Sequence, residues 1–433
     1  MLWLYTTLVY IAAPGALLQN LWRARRDSSY RERLAERWGY THATFAARAI
    51  WIHAVSVGEV QASAVLVRAL LARYPERPLL VTTGTPTGAQ RVKALFGSQV
   101  QHVFLPYDMP GAVRRFLDRV RPCIGIVMET EIWPNLFREC RVREVPMLLA
   151  SARLSQKSVR RYSRLRALTR DALEDVTVEA QSSVDAERFR EIGANPQRVH
   201  VGGNLKFDIQ VPSEVQPAGQ HLRATQFASR PVWIAASTHE GEEEAALDAH
   251  EKVCSRFPSA LLILVPRHPQ RFETVRSLLL SRKLLFVTRS GAAPVTNEVR
   301  VLFVDTLGEL QMFYAAADVA FVAGSLAPIG GHSLLEPAAL HCPIVIGPHN
   351  FNAPEIARLF LEADAALQVQ AAGDLGSAII TLLDDDARRS QMTASAEAIV
   401  VRNRGALTKL LRRIDDLLSR SPAAQRTAAQ QAT

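Results

Sequence analysis

Short, uninterrupted apolar runs alternate with amphipathic stretches along most of this chain. In the first half the runs are Ile50–Val55, Leu79–Thr83, His102–Pro106, Cys123–Met128, Met147–Ala150, Val176–Ala180 and Val199–Gly202. Between them Glu59–Arg73, Thr87–Leu95 and Pro110–Val120 carry helical periodicity. The second half repeats the arrangement with Val232–Ala236, Leu261–Pro266, Lys283–Thr288, Val301–Val304, Val319–Val322 and Ile344–Ile346. Continuous Val/Ile/Leu runs separated by helices indicate parallel strands covered on both faces. Two such sets predict two doubly wound α/β domains. The polar, proline-containing stretch Ile209–Gln220 is the expected joint, giving domains at 23–210 and 211–420. Such sheets bind ligands beyond the carboxyl ends of their strands, so the chemistry is sought immediately after each run.

Ahead of this pattern, Leu2–Trp22 holds no charged side chain, and Trp3, Tyr5 and Trp22 sit near its ends as interfacial anchors do. A helix of about 20 residues spans a hydrocarbon core of roughly 30 Å. Pro14-Gly15 can kink it or turn it into a re-entrant segment. No basic residue precedes the run, while Arg23, Arg25, Arg26, Arg31, Arg33 and Arg37 follow it. That asymmetry favours a retained anchor, residues 1–22, over a cleaved signal peptide. It also keeps the rest of the chain on the cytoplasmic side of the membrane. The Ala/Gln/Thr-rich stretch 421–433 is expected to be a disordered tail.

With 433 residues, 48% of them hydrophobic, the chain exceeds one ordinary core. Its net charge of +9 (51 Lys+Arg against 42 Asp+Glu) favours an anionic partner. The arginine clusters, the second at Arg153–Arg170, do not interleave with aromatic platforms, and no nucleic-acid motif is present. An acidic lipid surface or a phosphorylated substrate fits better than nucleic acid. The four cysteines form no CxxC, which disfavours a disulfide framework or structural zinc.

The strand-end residues each admit two roles. Glu59, after His53 and the turn at Gly58, is placed to take a proton from a substrate hydroxyl, or simply to favour the dipole of its own helix start. Glu129 and Glu131 can hold sugar hydroxyls; Glu131 can equally cap the helix opened by Pro134. Lys206 can meet an anion or stay solvated. The run Ser237–Glu244 resembles a capped helix start with an acidic first turn. Arg267, after Pro266, is able to take a phosphate bidentately. The richest stretch is Gly324–Pro337: Gly330 and Gly331 let backbone N–H groups approach a phosphate, and Glu336 can bind ribose hydroxyls. Ser333 and Glu336 also have capping-box spacing. Asp384–Asp386 is taken as a solvated cap rather than a metal site.

The strings HAVSVGE, TTGTPTGAQR, PYD, ETEIWPN, SARLS, GNLKFD, STHEGEE, PRHPQRF, DTLGEL and GGHSLLEPA, in this order from His53 to Ala338, resemble the 3-deoxy-D-manno-octulosonic acid (Kdo) transferases that act on lipid A precursors. The resemblance covers nearly the whole chain except the tail. It implies a GT-B fold of two Rossmann-like domains facing a cleft, with the acceptor in the first and the donor in the second. It implies CMP-Kdo as donor, lipid IVA as acceptor, no cofactor and no metal in the transfer. By the same resemblance Glu59 falls on the general base. Pro266, Arg267, Leu307, Gly308, Glu309 and Ser333, Leu334, Leu335, Glu336 fall on CMP-contacting positions. Ser333-Leu334 stands where the family often has Asn-Pro, which alters any contact from an Asn amide. Two other readings share parts of the pattern: a GT-B enzyme using a UDP-sugar on a lipid, and a non-enzymatic membrane-tethered nucleotide-binding scaffold.

Overall fold

The structure, a computed structural model, describes every residue except 26–27, 42, 46–47 and 421–433. Arg26 and the expected tail thus lie outside the described residues. The chain divides into two units, residues 1–208 with 404–433, and residues 209–403.

The first unit is built on seven parallel strands: β1 (Ile50–His53), β2 (Leu79–Thr83), β3 (Gln101–Phe104), β4 (Ile124–Met128), β5 (Met147–Ala152), β6 (Thr177–Ala180) and β7 (Val199–Val201). Their order is β3-β2-β1-β4-β5-β6-β7. Side chains alternate between two buried faces. Ile50, Ile52, Ile124 and Ile126 enter one helix-covered layer, and Trp51, Val127 and Leu149 the other. Burial on both sides is why the central strands β1, β4 and β5 read as mostly apolar runs.

Seven parallel strands also form the second unit: β8 (Val232–Thr238), β9 (Leu261–Pro266), β10 (Phe286–Thr288), β11 (Val301–Phe303), β12 (Val319–Val322), β13 (Ile344–Ile346) and β14 (Leu367–Gln368), ordered β10-β11-β9-β8-β12-β13-β14. Trp233 and Ala235 pack into one layer, Val232, Ile234 and Ala236 into the opposite one. In each sheet the strand order reverses direction beside the first strand, between β1 and β4 and between β8 and β12. Those two crevices are the topological switch points.

Two expectations change here. The joint is not a polar linker throughout, because Val215–Leu222 is a helix whose Gly219 lies against Met312 and Ala315. The assignment of 211–420 to the second unit fails for its last helix, Ala406–Ser419, which covers the first sheet. Ala406, Leu410, Ile414 and Leu418, four residues apart on one face, join the core layer of Ile50 and Ile52. Polar contacts fix its register. Asp208 accepts from the N–H groups of Gly405 (2.8 Å) and Leu407 (2.9 Å) at the helix start. Arg413 pairs with buried Glu179 at 2.7 Å, and Arg73 with Asp415 at 2.6 Å.

The apolar N-terminus forms one helix, Leu2–Arg23, running through Pro14. By length and composition it is able to cross a membrane. One side of it packs on the first unit, where Val9 and Ala13 meet Trp38, Met109 and Ala112. Of the arginines that follow, Arg33 and Arg37 are committed within the first unit. Arg33 pairs with Glu36 at 2.7 Å, and Arg37 donates to the Gly84 carbonyl at 2.7 Å and lies over Phe104.

Candidate functional site

In the first unit the expected carboxylates gather at the β1/β4 switch point. Ser56 caps the helix Val57–Arg73, accepting from the Glu59 N–H, and the Glu59 carboxylate accepts from the Val55 N–H at 2.8 Å. Glu59 therefore does close its own helix start. Only Oε2 is engaged at that distance, since Oε1 lies 3.5 Å from the Ser56 hydroxyl. Burial pushes the Glu59 carboxyl up to about 7, against the Val55 hydrogen bond, and the nearby charges of Glu129 and Glu131 push the same way. A base poised there is well matched to proton removal near neutral pH.

Glu129 follows β4 at φ +55°, and Ser151, at the end of β5, has φ +51°. Left-handed backbone at non-glycine residues costs about 1–3 kcal/mol each and tends to cluster at functional sites. Glu129 is held by Arg153 at 3.1 Å and Lys206 at 3.4 Å, so Lys206 is an ion-pair partner rather than a solvated lysine. Glu131 does not cap the next helix. Asp108, from the PYD string, accepts from the N–H groups of Asn135 and Leu136 (3.0 and 2.8 Å) instead. Glu131 is left at the site with its carboxyl raised by burial.

In the second unit the loops after β11, β9, β8 and β12 share one edge because these neighbouring strands are parallel. Leu307 and Gly308 are exposed there, and Glu309 pairs with Arg289 at 2.6 Å, which holds its carboxyl below the usual range. Arg267, directly after Pro266, is exposed and makes no ion pair among the described residues, yet acts electrostatically on Glu336, His239, His268 and His332. Burial raises the Glu336 carboxyl, opposed by Arg267. Ser333 is exposed, whereas Leu334 and Leu335 are buried side chains, so any ligand contact from those two is through backbone.

The glycine-rich stretch departs from expectation. No side chain caps the five-residue helix Leu335–Ala339, so the Ser333/Glu336 capping box does not form. The N–H groups of Gly330 and Gly331 donate to the Gly324 carbonyl (3.0 and 2.7 Å), and that of His332 to the Ala323 carbonyl (3.3 Å). These donors serve the loop rather than a phosphate. Gly330 and Gly331, at φ +109° and +76°, are required by the close approach of Asn350 and Asn352, whose side chains would lie within 3 Å of any added Cβ.

Sequence reasoning overlooked what holds this loop. Glu242, within a run taken as an acidic first turn, is 1% exposed and accepts four backbone N–H groups: Gly324 (2.8 Å), Leu326 (3.0 Å), Ala327 (3.1 Å) and His239 (3.1 Å). Its neighbour Glu243, fully buried, pairs with Arg271 at 3.0 Å, tying the β8 loop to the β9 loop. His239 and His332 stack with their Nε2 atoms 2.9 Å apart; one imidazole donates and the other accepts, so at least one is neutral. Arg153 was likewise overlooked as a partner of Glu129.

The chain as a whole is similar to known proteins. A family model described as 3-deoxy-D-manno-octulosonic-acid transferase (kdotransferase) matches residues 32–209. The 3-deoxy-D-manno-octulosonic acid transferase of Haemophilus influenzae is 39% identical over 96% of this chain and 99% of its own length. The chain belongs to the Kdo transferase family. The Bordetella pertussis member is 40% identical over 95% of this chain and 99% of that one. This Kdo transferase is accordingly a glycosyltransferase. Its two units have the GT-B fold, as in Anabaena HepE in complex with UDP (16% identity, TM-score 0.53, 86% of this chain and 100% of that one).

Proposed function

We propose that this enzyme transfers Kdo from CMP-Kdo to a primary hydroxyl of lipid IVA in lipopolysaccharide synthesis, in one inverting displacement without a metal. Glu59 takes the hydroxyl proton as that oxygen bonds to the anomeric carbon of Kdo. The bond from that carbon to the phosphate oxygen breaks, and CMP leaves with the electron pair. Arg267 offsets the charge developing on the phosphate. Glu336 holds the ribose hydroxyls, and Leu307–Glu309 and Ser333–Leu335 frame the cytidine. Glu129, Glu131 and Lys206 position the acceptor sugar.

The observation that carries this reading is the Glu59 carboxyl, raised to about 7 at a switch point, with Oε2 held by the Val55 N–H at 2.8 Å and Oε1 reached only by the Ser56 hydroxyl at 3.5 Å. Family membership supports the transferred sugar. The donor loops of the second unit support a nucleotide, and Arg267, which acts on Glu336 and makes no ion pair among the described residues, supports its phosphate.

The acceptor is a lipid, and the apolar helix Leu2–Arg23 together with exposed arginines supports work at the cytoplasmic face of the inner membrane. The test is direct. Purified full-length protein incubated with CMP-Kdo and lipid IVA should yield product heavier by whole Kdo units in a mass spectrum. Unchanged lipid, or transfer from a UDP-sugar instead, would overturn the assignment.

A further inference from the structure

The helix Leu2–Arg23 has two unlike faces. Residues 5, 9, 13 and 20 lie on one side at about 100° per residue, and all of them meet the first unit. The Tyr5 hydroxyl donates to buried Asp108 at 2.9 Å, Thr6 to the Asn135 side chain at 2.9 Å, and the Asn20 amide to the Tyr107 hydroxyl at 2.7 Å. Val9 and Ala13 pack against Trp38, Met109 and Ala112 between these bonds. The contacts run from residue 5 to residue 20, roughly 22 Å of helix.

The opposite side is mostly apolar; its exposed polar members are Thr7, whose hydroxyl donates to the Trp3 carbonyl at 3.0 Å, and Gln19 at the border. Trp3, Leu4, Leu8, Ile11 (70% exposed) and Leu18 (66%) are exposed away from that packed side. The polar atoms of Tyr5, Thr6 and Asn20 are thus satisfied within the first unit, and aliphatic and indole groups are offered outward.

A helix tied along this length cannot stand across a bilayer unless the surface that binds it enters the hydrocarbon too. That surface carries Asp108, Tyr107 and Asn135, and irregular backbone facing lipid there is forbidden by unsatisfied polar groups. Lying in the plane of the membrane removes the conflict, because only the outward stripe is immersed.

The charges agree. Tyr162, in the helix Gln156–Ser163, acts electrostatically on Tyr5, which places that helix beside the start of the anchor. Lys157, Arg160, Arg161 and Arg164 are exposed there and make no ion pair among the described residues. Arg161 in turn acts on Glu131 at the β1/β4 site, so apolar stripe, cations and carboxylates adjoin within one unit.

We infer that Leu2–Arg23 is an in-plane, monotopic platform on an anionic leaflet rather than a membrane span, and that it presents the β1/β4 carboxylates to lipid headgroups. The inference rests on the membrane-associated reading above and adds its geometry. Single cysteines replacing Leu4, Ile11 and Leu18, in a Cys254→Ser background whose other cysteines are buried, would carry an environment-sensitive fluorophore. Full-length protein is mixed with vesicles of phosphatidylcholine and phosphatidylglycerol containing shallow or deep lipid quenchers.

The expected result is one common depth, about 5–10 Å below the headgroup boundary, at all three positions. A cysteine at Leu2 should react with an impermeant thiol reagent added outside. Arg160→Glu, Arg161→Glu and Arg164→Glu together should weaken partition about a hundredfold or more. A deep Ile11 flanked by shallow neighbours, with position 2 shielded from outside reagent, would establish a span and overturn the inference while leaving membrane association intact. Failure to sediment with vesicles overturns both. Protection of the three sites in a soluble dimer would assign the stripe to a second copy instead.

Discussion

Glu59 concentrates the residue-scale chemistry. Its raised carboxyl predicts a turnover limb that rises with pH through about 7, as the base loses its proton. Glu59→Gln keeps an oxygen for the Val55 N–H, so it should fold and still be stabilised by CMP, yet lose about two to four orders of magnitude in turnover. Retained turnover in single-turnover assays would remove Glu59 from the role. The same shift has a stability consequence of opposite sense. The folded state holds this proton more tightly than the unfolded chain, so the contribution is full below about 4.5 and is lost as pH rises to about 7. Glu59→Gln should therefore raise unfolding stability at pH 8 by about 1–3 kcal/mol, and by little at pH 4, as denaturant titration would report. Glu242 is the complementary case. Gln there has one accepting oxygen against four N–H donors, so Glu242→Gln should cost about 2–4 kcal/mol and loosen the Gly324–Ala327 turn. Amide exchange confined to 324–332 would report it, and unchanged protection would refute the clamp. Neither the clamp nor the Arg153–Glu129 pair was legible beforehand. A buried clamp and a solvated first-turn acid have the same letters, and only the fold shows which N–H groups surround each.

At the scale of elements, legibility followed burial. Strands β2, β9, β12 and β13 stand where their apolar runs put them, because two-faced burial leaves these four strands without a charged residue. The two-residue edge strand β14 gave no such run, and Val215–Leu222 was obscured by its proline and glycine. Ala406–Ser419 illustrates a deeper limit: its four-residue apolar spacing announces a helix and its buried face, but not which sheet it covers. That placement is set by Asp208, Glu179 and Asp415, whose partners lie far along the chain. The consequence is testable. Ile414→Ala should cost about 2–5 kcal/mol, and the loss should fall on the first unit. Hydrogen exchange should rise in β1 and β4 while β8 and β12 stay protected; the reverse distribution would return the helix to the second unit. The GNLKFD string thereby acquires a structural meaning, with Lys206 reaching the site and Asp208 starting the return helix.

At the scale of the whole chain, each unit owns two core layers, so each is able to melt as its own cooperative body. The donor loops belong wholly to the second unit and the proposed base to the first. A nucleotide bound only to folded donor loops stabilises by mass action, about 2.7 kcal/mol at a hundredfold excess over its dissociation constant. CMP should therefore raise the calorimetric transition of residues 209–403 and leave the other in place, and Arg267→Ala should abolish most of that shift without moving either baseline transition. UDP, whose base carries a carbonyl oxygen where cytosine carries an amino group, should protect less if the backbone of Leu307–Glu309 and Ser333–Leu335 reads that edge. Equal or stronger protection by UDP would point to a different donor on the same fold. Indifference to both nucleotides would leave a nucleotide fold without its ligand, and the exposed Arg267, with no ion pair among the described residues, would then have no phosphate to answer.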